Sequence, residues 1–258
     1  MQLNIEEILL NIKKTEDLTP IIEELKLDTK FKPVKETAEK SITIIQKETS
    51  KFKRIKETKQ RIKTLDSSLF KMLYMRSEDL NRVNDLIGFL FLVDNLDECY
   101  KLFDEMMEEG MKPYFRIFDT LDKKISYKSL DINIRIKGEC FQAQIRTPDI
   151  EKKYLQGYLS QESYKKRRIE KFRNFLRNDK QYGIEFRIEL LNSIRSNFEK
   201  GYEKTSKENN HSIIKILDNY SSTKFNYNVI EEMRLNEKTI NILKKHQKMM
   251  YGNNFKPN

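Results

Sequence analysis

Hydrophobic and polar positions along this chain change period several times, and each change marks an element. From Asn84 to Val93 the run is almost unbroken apolar, with Asp85 at its mouth, the pattern of a strand buried on both faces. From Ser129 to Lys137 and from Cys140 to Thr147 the period is two. Ile132, Ile134 and Ile136 point one way and Asp131, Asn133 and Arg135 the other. Across a turn at Gly138, Phe141, Ala143 and Ile145 alternate with Gln142, Gln144 and Arg146. One face of this hairpin is apolar and the other polar and charged. A polar sheet face beside a buried carboxylate is the place to look for a site.

The remaining pattern is mostly helical. Ile5 to Leu25 suits two short helices broken near Thr19-Pro20, and Lys32-Pro33 marks a second break. Glu36 to about Lys59 reads as one long polar helix, and Arg61 to Ser68 as a polar turn in which Ser67 caps a helix running through Lys71 to Met75. Leu96 to Glu109 is an amphipathic helix ended by Gly110. Tyr114 to Phe118 reads as a strand and Asp119 to Ser126 as a charged loop. After Thr147 no strand signal remains; helices are expected over about 149–159, 161–178, 184–204, 212–220 and 228–251, with a loose tail from Gly252. The fold class is thus α+β: a mixed sheet from about 86–93, 113–118, 129–137 and 140–147, flanked by helices. N-terminal helices over 1–54 and a basic helical extension over 169–258 bracket a central domain over 55–168.

Composition adds further constraints. A chain of 258 residues with 38% hydrophobic and 35% charged residues can bury a sizeable core, and no apolar run is long enough to span a bilayer. The first residues lack the basic-then-apolar pattern of a signal peptide, so a cytoplasmic protein without membrane contact is expected. Cys99 and Cys140 sit inside apolar patterns and read as buried reduced thiols; His211 and His246 lack ligand spacing, so no zinc site is indicated. Charge is uneven: of the net +10, residues 1–160 contribute +1 and residues 161–258 contribute +9. Lys165, Lys166, Arg167, Arg168, Lys171, Arg173 and Arg177 crowd one stretch, interleaved with Tyr164, Phe172 and Phe175. At helical spacing the aromatics read as core contacts. The consecutive charges Lys165, Lys166, Arg167 and Arg168 cannot all be buried; they form a solvated helix face or a surface for an acidic partner or for RNA, most plausibly tRNA.

Three ordered segments resemble the synthetase domain of the RelA/SpoT family of alarmone synthetases. Arg61-Ile62-Lys63-Thr64-Leu65-Asp66-Ser67-Ser68-Leu69-Phe70-Lys71 is similar to the family's R-I-K-S-x-x-S-I-x-x-K. Asp85-Leu86-Ile87-Gly88 is similar to D-[IL]-x-G-[IV]-R. Tyr127-Lys128-Ser129-Leu130-Asp131, followed by Gln142-Ala143-Gln144-Ile145-Arg146-Thr147, is similar to G-Y-[RQ]-S-x-H and E-[IV]-Q-[IL]-R-T. The resemblance covers roughly residues 55–168. It implies a nucleotidyltransferase-like sheet and transfer of pyrophosphate from ATP to a ribose 3′ hydroxyl, that of GDP or GTP, of an adenine nucleotide or of a tRNA end. Such transfer asks the protein chiefly for cations around phosphates and a carboxylate-held Mg²⁺. The resemblance assigns Arg61, Lys63, Ser67 and Lys71 to the ATP phosphates, Asp85 to the metal, Tyr127 to the acceptor base, and Lys124 and Arg146 to positions close to phosphate.

The departures fall on the chemistry. The second metal-binding glutamate of the pattern is Gln142, the arginine after the glycine is Leu90, the histidine is Asp131 and the glycine before the tyrosine is Ser126. A neutral amide adds no negative charge at a Mg²⁺ site. Asp131, on the polar strand face, is expected to supply some of it as a second metal ligand beside Asp85; Glu139, in the turn, looks too remote. Two readings follow. One is a divergent pyrophosphokinase. The other is a non-catalytic relative that binds nucleotide or RNA in a regulatory, toxin–antitoxin or defence role. Paired histidines and aspartates of a hydrolase are not evident.

Overall fold

A computed structural model describes residues 3–80, 83, 85–123, 128–156, 161–179, 183–208 and 235–246. Contacts divide the chain into two compact units. One is helical and drawn from residues 1–39, 63–83 and 160–225; the other contains the sheet and is drawn from 40–62, 84–159 and 226–258.

The helical unit contains α1 (Ile5–Asn11), a 3-10 turn (Thr15–Leu18), α2 (Thr19–Glu24), the first part of α3 (Leu27–Thr49), α4 (Leu65–Met75), α7 (Gln161–Asn178) and α8 (Ile184–Glu208). Asn4 caps α1 by accepting from the Glu7 N–H at 3.1 Å. Leu9, Ile12, Leu18, Ile21, Leu73, Ile194 and Phe198 are fully or almost fully buried, and Phe70 meets Phe172 edge-on with ring centres 5.3 Å apart. Pro33 lies inside α3 and does not break it: Phe31, Val34 and Ala38 are all buried there, so packing outweighs the one lost N–H bond. Ser67 is not the cap of α4. Thr64 holds that position and Ser67 sits in the first turn, its hydroxyl 3.5 Å from that of Thr15. Arg187 is completely buried among Phe172, Phe175 and Phe186, and burial, with Arg76 nearby, lowers its pKa to about 10.

The sheet unit has five strands in the order β1-β2-β5-β4-β3: β1 (Glu57–Ile62), β2 (Ile87–Leu92), β3 (Lys112–Asp119), β4 (Leu130–Ile136) and β5 (Glu139–Arg146). β2 runs parallel to β5 and the other neighbours are antiparallel, so the sheet is mixed and, with its flanking helices, the fold is α+β. Four strands follow the expected patterns. β1 does not: the stretch read as helix and turn is an edge strand. It has no apolar signal because five of its six residues are exposed, and its order comes from backbone pairing with β2. The β4–β5 hairpin turns at Lys137 and Gly138, both with positive φ (49° and 82°), the backbone of a two-residue turn matched to strand twist. Phe89, Phe91, Phe141, Ala143, Ile145, Ile132 and Ile134 form the buried apolar face. Glu139 falls on that face, where Ser41 donates to it, which removes it from the polar side.

α5 (Leu96–Glu108), capped by Asn95, buries Cys99, Leu102, Phe103 and Met106 and ends at Gly110, whose φ is +81°. α6 (Pro148–Leu155) follows β5. α9 (Glu237–Lys245) lies along α5 and is tied to it and to its surroundings. Lys238 pairs with Asp97 at 2.7 Å, Lys245 bridges Asp104 and Glu108 at 2.8 Å each, and His246 meets Asp104 at 2.7 Å. Thr239 donates to the buried Asp119 at 2.6 Å. The expected helix over 228–251 is described only for Glu237–Lys245; the expected helix over 212–220 lies outside the described residues. Hydrogen bonding from Lys238 holds the Asp97 carboxyl below its ordinary value, and Asp104 and Glu108 raise that of Lys245. A depressed carboxyl contributes stability above its unfolded pKa, and the contribution is lost as pH falls through the folded one. Protection of α9 amides, corrected for intrinsic exchange, is therefore expected to hold from neutral pH to about pH 4 and to fall below it. Protection that stays constant down to pH 2 contradicts this account of the docking.

Candidate functional site

Strand register sorts the polar face into rows. Arg61, Gly88, Gln142 and Asn133 are successive partners across β1, β2, β5 and β4; one step along, Lys59, Leu90, Gln144 and Asp131 are partners. Partners project to the same face, so these eight residues share it.

Gly88 leaves the face open. A Cβ there would stand 3.1 Å from Nε and 3.3 Å from Cγ of Arg61, so the Arg61 side chain lies across the strand where a side chain is missing. Its Nη2 comes within 3.7 Å of Asp85 Oδ2; Asp85 is 14% exposed and Arg61 43%. That separation exceeds hydrogen-bond length, and so partly exposed a pair is worth at most about 1 kcal/mol. The guanidinium is held near the carboxylate yet remains exchangeable for another anion. Gln142 occupies the same row on the far side of Gly88.

A second, tighter network runs along the opposite end of β5. Arg146 is 1% exposed. Its Nη1 pairs with Glu151 Oε2 at 2.8 Å, its Nε donates to Ser129 Oγ at 3.1 Å and its guanidinium lies 4.4 Å from the Tyr154 ring centre. The Ser129 hydroxyl donates to Asp131 Oδ1, and Gln144 Nε2 donates to Oδ2 at 3.3 Å. Arg146, expected close to phosphate, is instead directed inward by Glu151, a partner the motif did not include. Asp131, expected to share a metal with Asp85, is two strands away and level with Leu90. The start of β2 alone is roughly 14 Å from it at ordinary strand spacings, and both its oxygens are engaged. It is not the second ligand of an ion held at Asp85.

The other expected residues are placed as follows. Ser67 and Lys71 are on α4 and Lys63 directly precedes it, all within the helical unit. Lys124 and Tyr127 lie outside the described residues. On α7, Lys165 and Lys166 are exposed and Lys166 pairs with Glu162 at 2.9 Å. Arg167 and Arg168 are half-buried, and Arg168 lies 4.6 Å from the Tyr74 ring centre. Phe172 is core, as expected, whereas Tyr164 is exposed. Lysines of the C-terminal segment at 238 and 245 are taken up by α5 carboxylates rather than presented on a common basic face. Folding also gathers Asp104, Glu108 and His246, a set of metal-type ligands that spacing did not suggest; Lys245 Nζ already supplies the positive charge to both carboxylates.

A mixed sheet flanked by helices, with an apolar face and a polar face carrying Arg61 and Gln142, Arg61 reaching to Asp85 just ahead of β2, defines the class. Within it, a family model described as the region found in RelA / SpoT proteins matches residues 60–169, and over that region the chain is a distant relative of the RelA/SpoT family. No curated protein matches. Similar solved structures include small alarmone synthetase 2 from Bacillus subtilis (20% identity, 71% of this chain and 95% of that one, TM-score 0.37). A GTP pyrophosphokinase family protein from Streptococcus pneumoniae is 19% identical over 67% of this chain and 96% of that one, with a TM-score of 0.38. Small alarmone synthetase 1 from Bacillus subtilis is 14% identical over 70% and 95%, with a TM-score of 0.38. No described helix is long and apolar enough to cross a membrane.

Proposed function

We propose that the polar sheet face binds ATP and that the protein transfers pyrophosphate from it to a ribose 3′ hydroxyl. The observation that carries this reading is the Arg61 side chain lying over Gly88 and ending beside Asp85, next to Gln142. Arg61 exchanges Asp85 for phosphate oxygens. Lys63, Ser67, Lys71, Lys124 and Tyr127 keep the nucleotide-binding roles that the family pattern assigns. Arg146 acts as a positioning residue: through Ser129 it orients Asp131 and Gln144 on the face. One carboxylate with a neighbouring amide fits a Mg²⁺ that arrives on ATP phosphates better than a resident ion, because Mg²⁺ is commonly bound through one or two carboxylates plus substrate oxygens. Asp85 would hold it, with the Gln142 amide oxygen beside it. Held there, the ion would supply positive charge against that developing on the transferred group.

The test is incubation of the protein with Mg²⁺ and γ-labelled ATP and, separately, GDP, GTP, AMP and bulk tRNA. Label is expected on one acceptor; label on none overturns the transferase reading. Gly88→Ala tests the geometry. The added methyl meets Arg61 Nε at 3.1 Å and Cγ at 3.3 Å, so that side chain must shift by a few tenths of an ångström, and Gly88 has no positive φ to strain. ATP affinity is expected to fall several-fold with the melting temperature almost unchanged. An unchanged affinity contradicts the role of Arg61.

A second reading rests on Gln142 and Leu90, which remove a negative and a positive charge from the face. In it the protein binds nucleotide or RNA without turnover. Retained ATP or tRNA binding, with no label transfer, identifies it. For tRNA, replacing Lys165 and Lys166 with Glu is the clean perturbation, because both are exposed while Arg168 packs on Tyr74. Affinity that depends on these lysines also falls steeply with salt.

A further inference from the structure

We propose that Lys59 is a second phosphate-binding cation of the polar face, an assignment that rests on the ATP reading above. Side chains alternate along β1, so Glu57, Lys59 and Arg61 project to the same face as Leu90 and Gln142, one strand and two strands in. Lys59 stands two residues from Arg61, about 7 Å along the strand, a spacing over which two cations can hold one polyphosphate chain. Its row continues through Leu90, Gln144 and Asp131, none of which carries positive charge. The row that lacks a cation on its central strand therefore has one on its edge strand.

The side chain is available for this. Lys59 is 49% exposed and pairs at 3.4 Å with Glu57, itself 54% exposed. Such a pair contributes little and exchanges readily. Nor does Lys59 serve the core, since β1 is held by its backbone ladder to β2 and, on the other face, by Gln46 donating to Gln60 at 2.6 Å. A phosphate group offers the ammonium a charge-assisted hydrogen bond stronger than the one it leaves.

Equilibrium dialysis of the full chain against labelled ATP and Mg²⁺ tests the assignment. Lys59→Ala is expected to weaken binding by about tenfold, the scale of one such bond. Lys59→Arg keeps the affinity, and Glu57→Gln does not weaken it. Adding Leu90→Arg to Lys59→Ala restores binding by placing a cation in the same row on the next strand. Wild-type affinity in Lys59→Ala, while Arg61→Ala still loses binding, overturns the Lys59 assignment and leaves the ATP reading standing. An equal loss in Lys59→Arg and Lys59→Ala overturns it as well, because charge is then not what matters. Absence of ATP binding by the wild type overturns both.

Discussion

Arg146→Ala is expected to destabilise the sheet unit by about 3–5 kcal/mol, the cost of breaking a buried ion pair from one side. Removing the guanidinium leaves Glu151, 10% exposed at its side chain, without its cation, and takes from Ser129 a donor and from Tyr154 the cation over its ring. Replacing both Arg146 and Glu151 with apolar residues of similar size is expected to cost much less, since no buried charge is then stranded. Urea denaturation of the two variants measures this. Similar losses in both would mean that packing, not charge compensation, holds this corner. Because the same arginine bonds Ser129, which bonds Asp131, nucleotide affinity should fall in Arg146→Ala under conditions where the protein is still folded.

Asp85→Asn is expected to abolish label transfer. The exchange keeps shape but turns one acceptor oxygen into an NH2 donor and removes the negative charge, and Gln142 beside it has none to lend. A Mg²⁺–ATP complex then meets a neutral floor, with Arg61 no longer drawn to position by an opposite charge 3.7 Å away. Turnover equal to wild type in the asparagine variant rules out the metal role of Asp85. Lost transfer with retained ATP binding would separate the metal's part in chemistry from its part in affinity.

The strands whose side chains alternate, or are apolar on both faces, were legible in the sequence because burial writes directly into composition. β2, β4 and β5 lie within a residue or two of the stretches from which they were expected. β1 carries no such record: a solvated edge strand is specified by its neighbour's free backbone groups, which no local pattern reports. Pro33 failed as a helix break because the apolar residues around it continue the helix on both sides. At the site, order and spacing along the chain suggested Arg61, Asp85 and Gln142; register sets Arg61 and Gln142 on either side of Gly88, and Arg61 reaches to Asp85. They misplaced Asp131, because sharing a face does not mean sharing a row, and row assignment needs the pairing of strands. They also missed Glu151, the partner that turns Arg146 inward; its one sequence signal was a carboxylate five residues on, in the first turn of the next helix. Net charge in the C-terminal segment does not reveal that α5 carries carboxylates that pair with Lys238 and Lys245.

β1 ends the sheet on one side, and among the described residues only β2 pairs with it. An edge of this kind is a template for another chain, and charged side chains along it are what keep copies apart. Glu57, Lys59 and Arg61 alternate in sign along that rim, with Thr58 and Gln60 between them, so no apolar strip is offered to a second sheet. Charge on Lys59 and Arg61 thus also opposes edge-to-edge pairing of two copies. Neutralising Lys59 and Arg61 together would remove both services at once and allow two copies to join edge to edge into one continuous sheet, a loss of monodispersity that could pass for a loss of binding. Probing the two positions one at a time keeps a charge on the rim and the two effects apart.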